Sequence, residues 1–580
     1  MRLTLALVAL ACLVGPAAAR TPPAKTGTPV ADFTLKDGYD KAWSLADARD
    51  AKAVVIVVLG VECPVNNAYL PHLAQLHKAY AAKGVVFVGL NSNWQDTALK
   101  VRGHAEANKI PFPVLKDPAN KVADLLSARR TPEVFVLDAE RKIAYQGRID
   151  DRIGIGFQRP EASKQELVDA LDAVLAGKPA PVAITDPPGC LIARAVTPKA
   201  EGSVTYTKHV APILQKRCQE CHRPGEVGPF TLTTYEDAVN WSEMIREVVS
   251  AGQMPPWHAD PKHGTFANDR RLTDAEKKTL TDWVAGGVVK GDPKDEPAAK
   301  VYADGWRIGK PDVVFQMPRE FTVPAAAKDG VKYQNFLVQT NYDEDRWVVA
   351  AEARPGNRSV VHHILVLMRM PGAPRVRTAD GIGQGLLTAY APGDVPLILE
   401  PGQAKKLPKG ATLIFQMHYT PNGAEQTDRS SVGLIFAKEP PKQEVKVRAV
   451  AQQNLMIWPG AKDHPARSAS VLSADKEAIV YSLMPHMHLR GKAFEIEAVY
   501  PDGKTEVLLN VPKYDFSWQT TYMLAEPKRL PAGTKLECRA LFDNSADNPN
   551  NPNPKRIVFW GDQTWEEMMI GFVHYSVVEK

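Results

Sequence analysis

"AVVIVVLGVECPVNNAYLPHL", residues 53–73, decides how the first third of this chain folds. Its opening, "AVVIVVLG" (53–60), is a continuous apolar run rich in β-branched residues. A run without polar alternation reads as a strand buried on both faces, as in a parallel sheet. The pattern returns in "GVVFVGLN" (84–91) and "PEVFVLD" (132–138), with helical stretches between the first two. Cys63 therefore follows a buried strand directly and stands at the start of a helix, a place that favours the thiolate. Further on, "EASKQELVDALDAVLAG" (161–177) sets Leu167, Leu171, Val174 and Leu175 on one helical face and stops at Gly177. These signals predict an α/β domain over 28–180, followed by a Pro-rich linker over 181–202.

The texture then changes twice. Residues 203–295 read as all-α: "TDAE" (273–276) is a capping box, Thr273 with Glu276, opening a helix that carries Trp283. "VVKGDPKDEPAAK" (288–300) is charged and Pro-containing, a natural boundary. From 305 to the end the chain is all-β, with strands such as "VHHILVLMR", "ATLIFQMHY" and "AIVYSLMPHMHLR" between Pro, Gly and Asn turns. Some 270 residues of this texture predict two β-sandwiches in tandem, 305–445 and 446–580.

The first residues, "MRLTLALVALACLVGPAAAR", read as a signal peptide over 1–19: Arg2, an apolar core Leu3 to Val14, and an A-x-A site at Ala17 and Ala19. That run is too short to span a membrane, and no other stretch approaches transmembrane length. The expected place is the bacterial periplasm or the outside of the cell, where disulfides and haem attachment are permitted. A formal charge of +5 over 580 residues, without a basic stripe, argues against nucleic acid as a partner. Of the six cysteines, Cys12 leaves with the signal and Cys218 pairs with Cys221 in one motif. Cys63, Cys190 and Cys538 are left over, an odd number, so at least one is unpaired or reactive.

"CQECH" (218–222) is C-x-x-C-H, the pattern of c-type haem attachment. Cys218 and Cys221 can reach the two vinyl groups, and His222 offers an imidazole to the iron. Met254 in "AGQMPPW" is the chosen second axial ligand, with His209 and His258 as alternatives. The stretch resembles the small c-type cytochromes of bacterial exported proteins over about 90 residues.

Upstream, Cys63 together with Thr131-Pro132 ahead of the strand "VFVLD" resembles the redoxin family, peroxiredoxin- and thioredoxin-like, over about 150 residues. The resemblance implies a cis-proline beside an active cysteine. Two departures stand out. Thioredoxin's second cysteine position is Asn66 here, and the peroxiredoxin threonine position is Gly60. Cys190 in "PPGCLIAR" is a candidate disulfide partner of Cys63. The alternative is a buried, inert Cys63 with Cys190 a mere linker residue.

Five of the 14 histidines fall in three β-region motifs: His362 and His363 in "VVHHILVL", His418 in "QMHYT", and His486 with His488 in "MPHMHLRG". Residues i and i+2 of a strand face the same way, so His486 and His488 can converge on one ion. Adjacent His362 and His363 do so only at a strand end or with unusual rotation. Imidazoles suit copper, and a thioether such as Met568 in "TWEEMMIGF" suits Cu(I). The order of these motifs resembles the copper type II, ascorbate-dependent monooxygenases, which include the peptidylglycine α-hydroxylating and dopamine β-monooxygenases, over roughly 310–580. The resemblance implies an electron-transfer copper at His362, His363 and His418, and an oxygen-activating copper at His486, His488 and Met568. Met569 points to the opposite face from Met568, whereas His574 shares its parity and competes as a ligand.

The expectation is thus an exported oxidoreductase with two copper ions and one covalent c-type haem. It would hydroxylate an aliphatic C–H of a small-molecule or peptide substrate with dioxygen and an external electron donor. The alternatives are a haem and copper electron-transfer or copper-binding protein, or a thiol peroxidase acting through Cys63.

Overall fold

The computed structural model describes residues 26–154, 157–159, 161–302, 305–325, 327, 330–372, 385–422 and 424–578. The signal peptide expected at 1–19 lies outside the described residues. No helix among them is long and apolar enough to cross a membrane.

The strand Ala53–Val58 is buried at all six positions and lies in the middle of a seven-stranded sheet. It pairs in parallel with Val85–Asn91 and antiparallel with Glu133–Leu137. Cover on both faces explains the unbroken apolar run. The chain leaves this strand into the helix Pro64–Ala81, whose N-cap is Cys63 and whose first position is Pro64, where proline's missing N–H costs nothing. The predicted face of the helix Glu166–Leu175 seats Leu167 and Leu171 fully in the core, with Val174 and Leu175 packed at its edge.

The stretch 181–202, read as a linker, does not hang free. Cys190–Leu191 forms a short antiparallel ladder with Arg130–Thr131, pairing Cys190 with Thr131. Gly189 makes this possible: its φ is +94°, and Thr131 O occupies the space a Cβ would need.

Beyond it lie the helices Ala211–Arg217, Tyr235–Asn240, Ser242–Ser250 and Asp274–Ala285. The capping box of the last is formed, Thr273 Oγ1 accepting from Glu276 N. Trp283 is fully buried and donates to Val289 O at 3.0 Å. One continuous apolar cluster runs from the first sheet into these helices and holds Cys63, Cys190, Ile245 and Trp283 together. Two polar ties reinforce it: Arg130 to Glu247 at 2.6 Å, and Trp94 Nε1 to Asn240 Oδ1 at 3.1 Å.

The C-terminal part is β-rich and has two cores, each between antiparallel sheets. The first includes Met317, Ile364, Phe415 and Met417. The second includes Leu483, Ile496, Cys538 and Met569. The sheet containing Val361–Arg369 and Thr412–Tyr419 meets the sheet containing Ala478–His486 and Ile570–Val577 across a small apolar seam of Leu367, Leu386, Met484, Met568, Ile570 and Phe572. The helical region docks on the second core through Trp257 and Phe266, which pack on Tyr522 at 4.9 and 5.3 Å. The parts so joined border an open cavity of about 2300 Å³.

Candidate functional site

The histidine trio forms because a strand is broken at the right place. Val361 pairs with Tyr419 and His363 with His418, and a β-bulge between those pairs takes His362 out of register. Regular neighbours on a strand point to opposite faces; a bulge re-aims one of them. The ligand atoms of His362, His363 and His418 consequently all lie within 4.8 Å of one another. His362 and His363 turn their Nδ1 atoms together at 3.4 Å. The Tyr333 ring closes one side, 4.8 Å from His418 and 5.3 Å from His363.

The second group stands at the end of the strand Ala478–His486. The rings of His486 and His488 are 5.2 Å apart. The ladder that pairs this strand with Ile570–Val577 ends at His486 opposite Ile570, so His488 and Met568 both lie just beyond it. Met568 is buried in the apolar seam and Met569 in the core behind it, the parity expected from the sequence. His574 is elsewhere: it pairs with Ser482 and bonds Ser482 Oγ at 2.8 Å.

Both groups fit a metal. Metal ligation needs neutral imidazoles, and burial lowers all five: His362 and His486 to about 4, His488 to about 3, and His363 and His418 well below the ordinary value. His486 Nδ1 meets Gln519 Oε1 at 2.6 Å, and His488 Nδ1 meets Glu566 O at 3.2 Å. Those acceptors assign the protons to Nδ1 and leave both Nε2 lone pairs free. His488 Nε2 and His418 Nδ1 are buried without a protein partner, an arrangement that costs free energy unless something is bound there. Glu567 grips the loop behind, accepting from His488 N at 2.9 Å and Arg490 N at 2.7 Å. The two groups face each other across Phe516, which stacks on His362 at 5.0 Å and meets His488 edge-on at 5.9 Å.

Cys218, Cys221, His222, Met254 and His258 all line the large cavity, as do His362 and His418. His222 Nδ1 faces Phe230 O at 3.1 Å, which leaves Nε2 for an axial bond. His209 turns its Nδ1 to Thr205 N at 3.0 Å and caps its own turn. Two thiols, an oriented imidazole and a thioether on one cavity match the donor set of a covalent haem.

Cys63 is 1% exposed, and its thiol donates to Thr131 O at 3.0 Å. The Thr131-Pro132 peptide is cis, as the sequence suggested. Burial pushes the thiol up; donors from the Cys190 and Thr131 side chains and from the N–H groups of Asn66 and Cys190 outweigh it and draw Cys63 down to about 7. Both cysteines are free thiols, and that of Cys190 is held well above its ordinary value by a hydrogen bond to the Cys63 side chain and by burial.

Sequence reasoning missed Gln519, Phe516, Tyr333 and Glu567. Only Glu567 carried a signal, an acidic residue directly before the buried Met568.

Residues 26–146 match the AhpC/TSA family. The thiol-disulfide oxidoreductase ResA of Halalkalibacterium halodurans is 24% identical over 120 residues, 21% of this chain and 66% of its own length. ResA of Bacillus cereus is 25% identical over 117 residues, 20% of this chain and 66% of its own. The chain thus spans just under two thirds of these relatives. Among solved structures, a hypothetical protein of Sinorhizobium meliloti is 31% identical, with a TM-score of 0.29, over 30% of this chain and 98% of that one. Peroxidoxin BcpB of Mycobacterium tuberculosis is 24% identical, with a TM-score of 0.22, over 26% and 97%. The chain carries, at residues 26–146, a thioredoxin-like redoxin domain of the AhpC/TSA family, joined to a large β-rich C-terminal region.

Proposed function

We propose that this protein is an exported, periplasmic or secreted oxidoreductase whose β-rich region is a copper-dependent monooxygenase, served by a c-type haem and the redoxin domain. One observation carries the reading: a half-buried to buried trio and a buried pair of histidines, with His418 Nδ1 and His488 Nε2 left without a partner, face each other across one aromatic ring. His362, His363 and His418 would hold one copper; His486, His488 and Met568 would hold the other. Cys218 and Cys221 would bind the haem, with His222 and Met254 as its axial ligands. When bound, these groups supply one-electron transfer and activation of dioxygen toward an aliphatic C–H of a small-molecule or peptide substrate.

The chain's own residues set the conditions. Gln519 and Glu566 O fix the tautomers of His486 and His488. Glu567 pins the turn between His488 and Arg490. The seam around Met568 excludes water from one side, and the cavity reaches the trio, with His362, His418 and Phe516 on its wall. The external electron donor reaches the haem motif through that cavity.

The test is metal and haem content of the purified, copper-reconstituted chain beside its His486→Ala variant. Two coppers and one haem per chain, with one copper in the variant, support the reading. A haem without stoichiometric copper would leave a haem–thiol redox protein.

A second reading, thiol–disulfide or peroxide chemistry at Cys63, is favoured by the low-lying Cys63 thiol at a helix start. It is tested by the redox behaviour of a Cys63→Ser chain.

A further inference from the structure

The two sulfurs of the redoxin domain differ in who can reach them. Cys63, 1% exposed, lies behind Cys190, and it is absent from the cavity wall. Cys190 lines that wall, beside Gly189, Pro64 and Val65. The helix Ser242–Ser250 packs against the pair and contributes Ile245 and Val249 to the same cavity wall. Both residues share the apolar cluster of the two cysteines. Arg130 locks that helix to the segment before Cys190, donating to Gly189 O at 2.7 Å and to Glu247 Oε1 at 2.6 Å. Cys190 is itself only 8% exposed, a recess that a small molecule fits more readily than a protein surface does. A small molecule in the cavity can touch Cys190.

We propose that Cys63 and Cys190 form a redox-active dithiol–disulfide pair, oxidised by a peroxide (two thiols and ROOH give the disulfide, ROH and water) and re-reduced by a small thiol that enters the cavity and attacks Cys190 Sγ. This centre goes beyond the copper reading and does not rest on it. The exchange balances in two steps. A thiolate RS⁻ bonds to Cys190 Sγ; the Cys63–Cys190 bond breaks, and its electron pair leaves on Cys63 Sγ. A second RS⁻ then attacks the R sulfur, releasing RSSR and the Cys190 thiolate, which takes a proton. Two small thiols are oxidised, and one protein disulfide is reduced.

The surroundings suit this direction. A thiol of lower pKa is the better leaving group, and Cys63 is held low by the donors around it, whereas Cys190 is held high. The cavity wall carries Lys216 beside Arg152 and Arg217, the latter two paired with Asp150 and Glu276, and Lys216 is favourable to an approaching thiolate. The same cavity carries Cys218, Cys221 and His222, so a molecule that reduces the pair also passes the haem motif.

The test uses the full chain. It is oxidised with diamide under native conditions, and its peptides are mapped for a Cys63–Cys190 disulfide. The oxidised protein is next given limiting labelled 2-mercaptoethanol, quenched in acid and mapped again. The expected result is the label on Cys190, with reduction by the small thiol faster than by thioredoxin at equal thiol concentration. Weakening the lock with Glu247→Lys raises the thioredoxin rate at least several-fold and leaves the small-thiol rate in place. The proposal is overturned if no Cys63–Cys190 disulfide forms, if the label maps to Cys63, or if thioredoxin reduces the wild-type chain as fast as the small thiol. The mapping needs no variant, so a folding defect cannot obscure it.

Discussion

Replacing Gln519 with leucine separates the two histidine groups energetically. Gln519 is buried, and its Oε1 accepts from His486 Nδ1 at 2.6 Å. Its Nε2 has no protein partner, so the substitution breaks no other bond. Leucine fills similar space in the buried site, but the Nδ1–H of His486 is left unsatisfied, a cost of ~1–3 kcal/mol. Loss of an acceptor behind a metal-bound histidine lowers metal affinity roughly 10- to 100-fold, which corresponds to ~1.4–2.7 kcal/mol. The trio at His362, His363 and His418 does not touch Gln519 through any hydrogen bond, so its affinity is expected to hold. The assay is Cu(I) competition with a chelator on the haem-loaded full chain, fitted to two sites. One site weakens by one to two decades and the other stays; Gln519→Glu, which keeps an acceptor, recovers most of the loss. Equal weakening of both sites, or of neither, would refute the assignment of His486 and His488 to a separate metal.

Other expectations follow from the same geometry. In the reduced chain the ultraviolet absorbance of the Cys63 thiolate should rise with a midpoint near pH 7, and Cys190→Ala should move that midpoint upward because two stabilising donors are disturbed. Since the folded value lies below the ordinary 9.0, the thiolate contributes stability that is complete above about pH 9 and is lost as pH falls through about 7; denaturant midpoints of reduced wild type and Cys63→Ser across that window check the sign. Gly189→Ala should abolish diamide-driven Cys63–Cys190 bonding by pushing the 190–191 strand off Thr131 O, read by peptide mapping. Trp283→Ala should cost ~3–5 kcal/mol and lower the unfolding midpoint of the redoxin domain together with the helices, because one apolar cluster serves both; separate transitions, with the redoxin unmoved, would contradict that.

The elements that were legible in the sequence are those set by local pattern. The buried run 53–58, the helix opening at Pro64, the Thr273–Glu276 box and the opposite faces of Met568 and Met569 each follow from period or capping chemistry. What was not legible depends on where distant segments meet. Convergence of His362 with His363 rests on a bulge, a register change that no residue type in "VVHHILVL" announces. Phe516 and Gln519 reach the histidines from the loop before the strand Tyr522–Leu530 and have no spacing signature of their own. The sequence offers Cys190 both as a partner for Cys63 and as a residue of a Pro-rich linker, and does not decide between them. The place of Cys190 beside Cys63 depends on Gly189 admitting the backbone against Thr131, which only the folded chain displays.

The central claim, that the histidine groups and the haem motif belong to one redox enzyme, is tested most directly by stopped-flow oxidation of the reduced haem with dioxygen in the full chain. Oxidation is expected to be faster with copper loaded than with copper stripped, and to return to the stripped rate in His486→Ala. Equal rates with and without copper, in protein shown to contain haem, would contradict it.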